Sequence, residues 1–259
     1  MFEWVIGTSV GILGLCSGSF VNMMEYRVAK LYGILGFGKK FVNKDRSCCD
    51  FCGEQLHIYE NIPVISWLIQ KGKTRCCRKK LPLSYPIVEI MTAVLFLINF
   101  FVFANKLDFM EWGLWTTWVK LFLQMVIVTM MMFLMTFDFK YMILPDIGII
   151  VSIVAGIGLM LLNGVNYLNI MWSTIGASGF LGALCLFTKG KGMGMGDVKF
   201  AVVMGILLGF PKIIWGMYTG FILGAIYGII LITMKKANRK SEIAFGPFLI
   251  IGLLVWWWM

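Results

Sequence analysis

Asp138 and Asp197 stand where an apolar chain least tolerates charge. Asp138 ends a long apolar run and is followed by Pro145-Asp146, and Asp197 closes the glycine-rich string Gly192-Met-Gly-Met-Gly-Asp. An ionisable group at bilayer depth is costly and by default marks a pathway or a reacting centre. Two carboxyls suffice to hydrolyse a peptide bond without a metal or a covalent nucleophile. One deprotonates water while the other protonates the carbonyl oxygen or the departing amine, and a close pair shares one proton because both do not readily ionise together. Positioned acid and base groups each contribute about 10² to 10⁴ in rate, so the surrounding elements must align the bond and exclude bulk water.

Those elements are membrane helices. The chain has 259 residues, 59% hydrophobic and 14% charged, with a mean hydropathy of +0.85, far more apolar and less charged than soluble domains. Apolar runs recur at about 4–26, 86–104, 113–137, 147–163, 170–187, 198–211, 213–234 and 243–258, most of them long enough to cross ~30 Å of hydrocarbon. The expected fold is all-α, a polytopic membrane bundle of about eight transmembrane helices; the sixth run is short, as a half-buried helix lining a cleft would be. No Lys or Arg precedes Arg27, so the first run lacks the basic start of a cleavable signal and is expected to stay as a span. With eight spans, every Lys and Arg except Lys106, Lys120 and Lys212 falls on one side. That side is the cytoplasm by the positive-inside rule, which places both termini outside and Asp138, Asp146 and Asp197 at the inner boundary. The formal charge of +10 is then explained by topology and anionic lipid, and nucleic acid is not an expected partner.

Asp197 is expected to begin a helix and Asp138 to end one, so helix-end electrostatics make Asp197 the expected base and Asp138 the expected acid. Gly194 and Gly196 would let an extended peptide approach closely. Asp146, after Pro145, is expected as a helix cap or as a support of the site.

The polar segment 28–84 is the one candidate for a separate subdomain, and it holds Cys48, Cys49, Cys52, Cys76 and Cys77 of the chain's seven cysteines. On the cytoplasmic side thiols stay reduced, so metal binding is the natural reading. Cys49-Asp-Phe-Cys52 has the spacing of a zinc knuckle. The second pair is irregular, with Cys76 and Cys77 adjacent and Thr74 where a second C-x-x-C would start. Cys49, Cys52 and Cys77 are the expected ligands, with Cys76, Cys48 or His57 as the fourth, and His57 is expected at the surface rather than on a metal.

Gly7, Gly11, Gly14 and Gly18 recur along the first run, and Gly216, Gly220, Gly224 and Gly228 along the seventh. Each set lines one helix face and permits close packing, within one chain or between chains. The glycines from Gly190 to Gly196 lie between apolar helices rather than in a βαβ unit, which excludes a nucleotide loop. A proton-coupled transporter using the aspartate pair is the alternative; it calls for inverted repeats, and no convincing repeat is present.

With these residues in order, the chain resembles the type IV prepilin peptidase family, the bacterial branch of the Gly-x-Gly-Asp intramembrane aspartic proteases. The resemblance runs through Gly18-Ser-Phe-Val-Asn-Met-Met-Glu-Tyr-Arg27, Cys49-x-x-Cys52-Gly53, Asn61-Ile-Pro-Val-Ile-Ser-Trp67 and Tyr85-Pro-Ile-Val-Glu89. It continues through Asp138 to Pro145-Asp146 and through Gly192-Met-Gly-Met-Gly-Asp-Val-Lys199. It implies that Asp138 and Asp197 are the catalytic pair, supported by Gly194, Gly196, Asp146 and Lys199, with no cofactor needed for proteolysis. It implies prepilin or pseudopilin substrates, whose short basic leader ends in glycine and is cut on the cytoplasmic side of a bacterial cell membrane. Many members then methylate the new amine with S-adenosylmethionine, and Asn22, Arg27 and Glu89 are the expected substrate or methyl-transfer region. A basic leader meeting a basic protein turns attention to the local acids Glu25, Glu60 and Glu89, although Glu89 is equally expected as a partner of Arg27. The chain departs from the family at Thr74, where a cysteine is common, and at Ala93, where a glycine is common. The first departure bears on zinc and both bear on methyl transfer. The implied organisation is a first span at 1–27, a cysteine-bearing cytoplasmic segment at 28–84 and a protease helix bundle at 85–259.

Overall fold

The computed structural model describes residues 2–34, 49, 51–105, 114–188, 190, 193–235 and 243–259, without the side chains of residues 2–4 and 58. Cys48 and Gly192, named above, lie outside the described residues. The chain divides into two compact units, Met1–Leu107 and Asp108–Met259.

The first unit is built on two long helices, α1 (Phe2–Leu31) and, after the short helix α2 (Ile65–Ile69), α3 (Ser84–Ala104). The glycine strip of α1 faces α3. A Cβ added at Gly14 would lie 2.6 Å from the Ala93 Cα, and one at Gly18 would lie 2.5 Å from the Glu89 Cα. Backbones this close leave room for hydrogen only, which is the packing that small residues allow. Between the two helices the chain forms turns, a 3₁₀ turn at Ile58–Asn61 and α2, with an isolated bridge between Lys73 and Lys80.

The second unit contains α4 (Trp115–Tyr141), α5 (Asp146–Asn163), α6 (Tyr167–Phe187), α7 (Met195–Leu208), α8 (Lys212–Thr233) and α9 (Gly246–Trp258). Helix α7 packs against α5, α6, α8 and α9, and α4 packs against α5 and α9. The C-terminal half of α4, from Ile127 to Asp138, is buried on every side, so Asp138 belongs to the core of this unit. Close packing again runs through glycine. Gly205 of α7 abuts Thr174 of α6, where a Cβ would lie 2.5 Å from the Cα, and Gly252 of α9 sits directly on the Gly216 carbonyl of α8.

A helix stands at each of the eight expected runs, which makes this a polytopic helical membrane protein. Among the described residues six of the eight are long and apolar enough to cross a membrane: α1, α3, α4, α5, α6 and α8. The other two are shorter: the sixth run, as expected, and the last one as well. Helices α7 and α9 have 14 and 13 residues, about 21 and 20 Å at 1.5 Å per residue, against ~30 Å of hydrocarbon.

Candidate active site

Helix α4 ends soon after Asp138. Met142 takes the left-handed conformation, φ 54°, and its N–H is bonded to the Asp138 carbonyl at 2.8 Å. Pro145 then starts α5, since its ring fits the first turn but cannot continue a helix. Asp197 lies in the first turn of α7, where its Oδ2 accepts the Gly194 N–H at 3.3 Å. Both carboxyls are buried, with Asp138 5% and Asp197 7% exposed, and they share Leu144 as a neighbour, which packs on Gly246, bonded to Asp138, and on Gly196, next to Asp197 in the chain. The structure therefore brings the two predicted acids together inside the second unit.

A residue with no place in the sequence reading completes the arrangement. The backbone N–H of Gly246, the first residue of α9, donates to Asp138 Oδ2 at 3.0 Å in a buried bond. Asp138 thus ends one helix and faces the N-terminus of another. Both acids now stand at helix N-termini, so the helix-end argument no longer separates base from acid. The signal in the sequence was the string Phe245-Gly246-Pro247 at the head of the last apolar run, since proline favours a helix's first turn.

The glycines near the acids do different work. Gly196 and Gly246 both make room for the buried Leu144, where added Cβ atoms would lie 3.1 Å from its Cβ and 3.2 Å from its Cδ2. Gly194 is exposed, and among the described residues a Cβ there would meet only Asp197 Oδ2 at 3.7 Å and the Gly196 nitrogen at 3.9 Å. It is the glycine that leaves space beside a carboxyl. Asp146 does not cap α5: the cap position is Pro145, with no side-chain cap bond. Its carboxylate instead meets Lys199 Nζ at 2.7 Å, an exposed ion pair joining the start of α5 to α7.

In the first unit Cys49, Cys52, Cys76 and Cys77 converge, with their sulfurs all within 4.8 Å of one another. Four sulfurs at ~2.3 Å from a tetrahedral zinc stand about 3.8 Å apart, so the set fits that ion. Two turns of the same build carry them. In the first the Cys49 N–H reaches the Glu54 carbonyl at 2.8 Å and the Gly53 N–H reaches back to Cys49 at 2.9 Å. In the second the Thr74 N–H reaches Lys79 at 2.8 Å and the Arg78 N–H reaches back to Thr74 at 2.9 Å. Gly53 and Arg78 both have positive φ, 78° and 54°. The second knuckle therefore keeps its backbone with Thr74 in the first ligand's position, and Cys76, from inside the turn, supplies the fourth sulfur. The Thr74 hydroxyl first, then the Lys79 N–H, lower the Cys77 thiol to about 7, while desolvation and the Cys52 thiol raise that of Cys76. His57 is exposed and stacks on Tyr59 at 5.4 Å, outside the sulfur cluster.

Glu25, Glu60 and Glu89 are all buried. Glu60 is bonded to Arg75 Nε at 3.2 Å and to the His57 N–H at 2.7 Å. Glu89 accepts the Val64 N–H at 2.7 Å rather than pairing with the exposed Arg27. That bond pins a β-branched residue with φ 61°, a conformation such residues rarely adopt. Asn22 Nδ2 donates to the Tyr85 carbonyl at 3.2 Å.

Comparison with known proteins covers both units. The family described as "Bacterial Peptidase A24 N-terminal domain" matches residues 12–103, and the "Type IV leader peptidase family" matches residues 125–229. A "Prepilin leader peptidase/N-methyltransferase" of Aeromonas salmonicida (strain A449) is 33% identical over 215 residues, covering 80% of this chain and 69% of the relative. Proteins of the same name from Aeromonas hydrophila and Bacillus subtilis (strain 168) are 29% and 26% identical, covering 96% and 94% of this chain and 89% and 90% of theirs. No solved structure matches.

Proposed function

The chain belongs to the type IV leader peptidase family, and from that premise we propose that Asp138 and Asp197 are its catalytic pair, removing the leader of prepilins or pseudopilins. The observation that carries the assignment is the burial of both acids in one helical unit, with Leu144 as their common neighbour. One carboxylate takes a proton from water, whose oxygen attacks the scissile carbonyl. The other, protonated, gives its proton to the departing amine, and one shared proton between the two acids supplies the required state. The exposed Gly194 leaves room for extended substrate beside Asp197, and the Asp146–Lys199 pair ties α5 to the helix that bears it. The transporter alternative finds no support in the family match.

We further place the acids at the cytoplasmic face, both termini outside and the segment 28–84 in the cytoplasm, on the distribution of Lys and Arg. Cys49, Cys52, Cys76 and Cys77 would hold a structural zinc, which supplies folding energy to the loop rather than chemistry. N-methylation is proposed on the relatives' printed names. Asn22, Arg27 and Glu89 are the proposed substrate or methyl-transfer region, with Asn22 Nδ2 bonded to the Tyr85 carbonyl and Glu89 Oε2 to the Val64 N–H.

The test is cleavage of a purified prepilin by the reconstituted chain. Wild type is expected to cut after the glycine that ends the leader, and Asp138→Ala and Asp197→Ala each to lose cleavage. Cutting that survives both substitutions sinks the assignment. Labelled S-adenosylmethionine in the same reaction reads methyl transfer onto the product.

A further inference from the structure

The start of α9 lies beyond both matched segments, which end at residues 103 and 229, and yet it touches an acid of the proposed pair. We propose that Gly246 is a positioning residue of the peptidase, whose backbone N–H fixes the orientation of the Asp138 carboxyl. The inference rests on the reading of Asp138 as a catalytic acid.

Three observations carry it. The Gly246 N–H is the only hydrogen bond to the Asp138 carboxyl among the described residues, 3.0 Å to Oδ2 and buried. The N–H is there to be used because of where it sits. Helix N-termini leave their first donors without partners inside the helix. In α9 the next residue, Pro247, has no N–H, while Phe248 and Leu249 reach the Phe245 carbonyl at 3.1 and 3.4 Å. Gly246 holds the leftover donor, and Asp138 is its acceptor across 108 positions of sequence. Finally, the site admits no side chain. A Cβ at Gly246 would lie 2.7 Å from Asp138 Oδ2, 3.2 Å from its Cγ and 3.2 Å from Leu144 Cδ2. A short, buried carboxyl in the core half of α4 has little freedom to yield.

The consequence is a matched arrangement. Each acid is held through Oδ2 by one glycine N–H, Asp197 by Gly194 and Asp138 by Gly246, which leaves the second oxygen of each carboxyl outside that bond. An N–H aimed at a carboxylate is a stronger hydrogen bond than a neutral pair, and it costs no reorganisation when the reaction begins.

Steady-state cleavage by Gly246→Ala tests this, beside Gly228→Ala, where the added Cβ meets the Ile243 side chain at an ordinary 3.5 Å. Gly246→Ala is expected to lower kcat by about 10² with KM within about twofold, the size of effect that a misplaced catalytic group gives. Gly228→Ala is expected to leave both unchanged. Equal kcat in Gly246→Ala and wild type overturns the proposal. Should Gly246→Ala fail to fold, the Gly246 amide of the full-length protein, labelled with ¹⁵N-glycine, decides. Asp138→Ala is expected to move that proton upfield and speed its deuterium exchange at least about tenfold, as loss of the acceptor exposes a donor. An amide that Asp138→Ala leaves unmoved overturns the role of Gly246 while the peptidase stands. Cleavage that persists in Asp138→Ala overturns the peptidase assignment itself, whatever the amide does.

Discussion

The Thr74 hydroxyl lies 3.1 Å from the Cys77 sulfur, at the backbone position that Cys49 occupies in the first knuckle. A residue that fills a ligand's place without being a ligand becomes an outer partner of the metal, and such partners typically govern affinity by 10- to 100-fold. Purified protein is expected to carry one zinc per chain by elemental analysis. Thr74→Ala should retain zinc and release it to a chelator about 10- to 100-fold more readily, whereas Cys49→Ser and Cys77→Ser should arrive without it. Zinc content unchanged in Cys77→Ser would remove that sulfur from the site.

In metal-free protein the two adjacent cysteines should differ sharply. The thiolate is the species that alkylates, and Cys77 is lowered to about 7 while Cys76 is raised above its ordinary value. Iodoacetamide labelling of Cys77 should therefore rise with pH through about 7 and level off above it, with Cys76 unreacted at pH 8. Mass spectrometry of the peptide carrying both reads the order, and Cys76 labelling first would contradict it.

Asp146 and Lys199 form an exposed pair, about half accessible on each side, and pairs of this kind contribute roughly 0 to 1 kcal/mol. Asp146→Asn and Lys199→Gln should each slow cleavage less than about tenfold, with the loss shrinking at high salt. The charge-swapped double variant should recover most of the rate. Abolition by either single change would show that the residue meets substrate directly.

The α1–α3 contact should be sharply position-dependent. Gly18→Ala puts a Cβ 2.5 Å from backbone at Glu89, and forcing the helices apart should destabilise the first unit by about 1–3 kcal/mol. Gly33→Ala would test a different strain, since its φ is 69°; Gly11→Ala, whose Cβ meets Leu97 side-chain atoms at 3.5 Å, should be tolerated. Thermal unfolding in detergent ranks the variants, and equal midpoints for Gly18→Ala and Gly11→Ala would refute the close approach.

Much of this arrangement is legible from residue types. Asp138 and Asp197 announce themselves because a charge in an apolar run needs a reason, and the helices follow from apolar run length. The α1 glycine strip follows from spacing. Gly246 is different: a backbone N–H has no residue-type signature, and its partner lies 108 positions away. Spacing leaves the fourth ligand open among Cys76, Cys48 and His57 because it describes a regular knuckle, and only the shared turn geometry shows Cys76 entering from within. Glu89 was equally ambiguous, since its partner is the main chain of Val64 rather than a charge that can be read from sequence.

The two helices whose N-termini hold the acids are also the two shortest of the second unit, with 14 and 13 residues. A helix some 9 Å shorter than the ~30 Å hydrocarbon layer makes the bilayer thin locally or leaves part of its depth wet. Hydrolysis consumes a water molecule, which hydrocarbon does not supply. A mismatch at α7 and α9 would bring the aqueous phase nearer to Asp138 and Asp197, which the helices themselves leave only 5% and 7% exposed. Cleavage in vesicles of longer-chain phospholipid should accordingly slow as the layer thickens, and the dependence of this enzyme on its lipid becomes a matter of water supply.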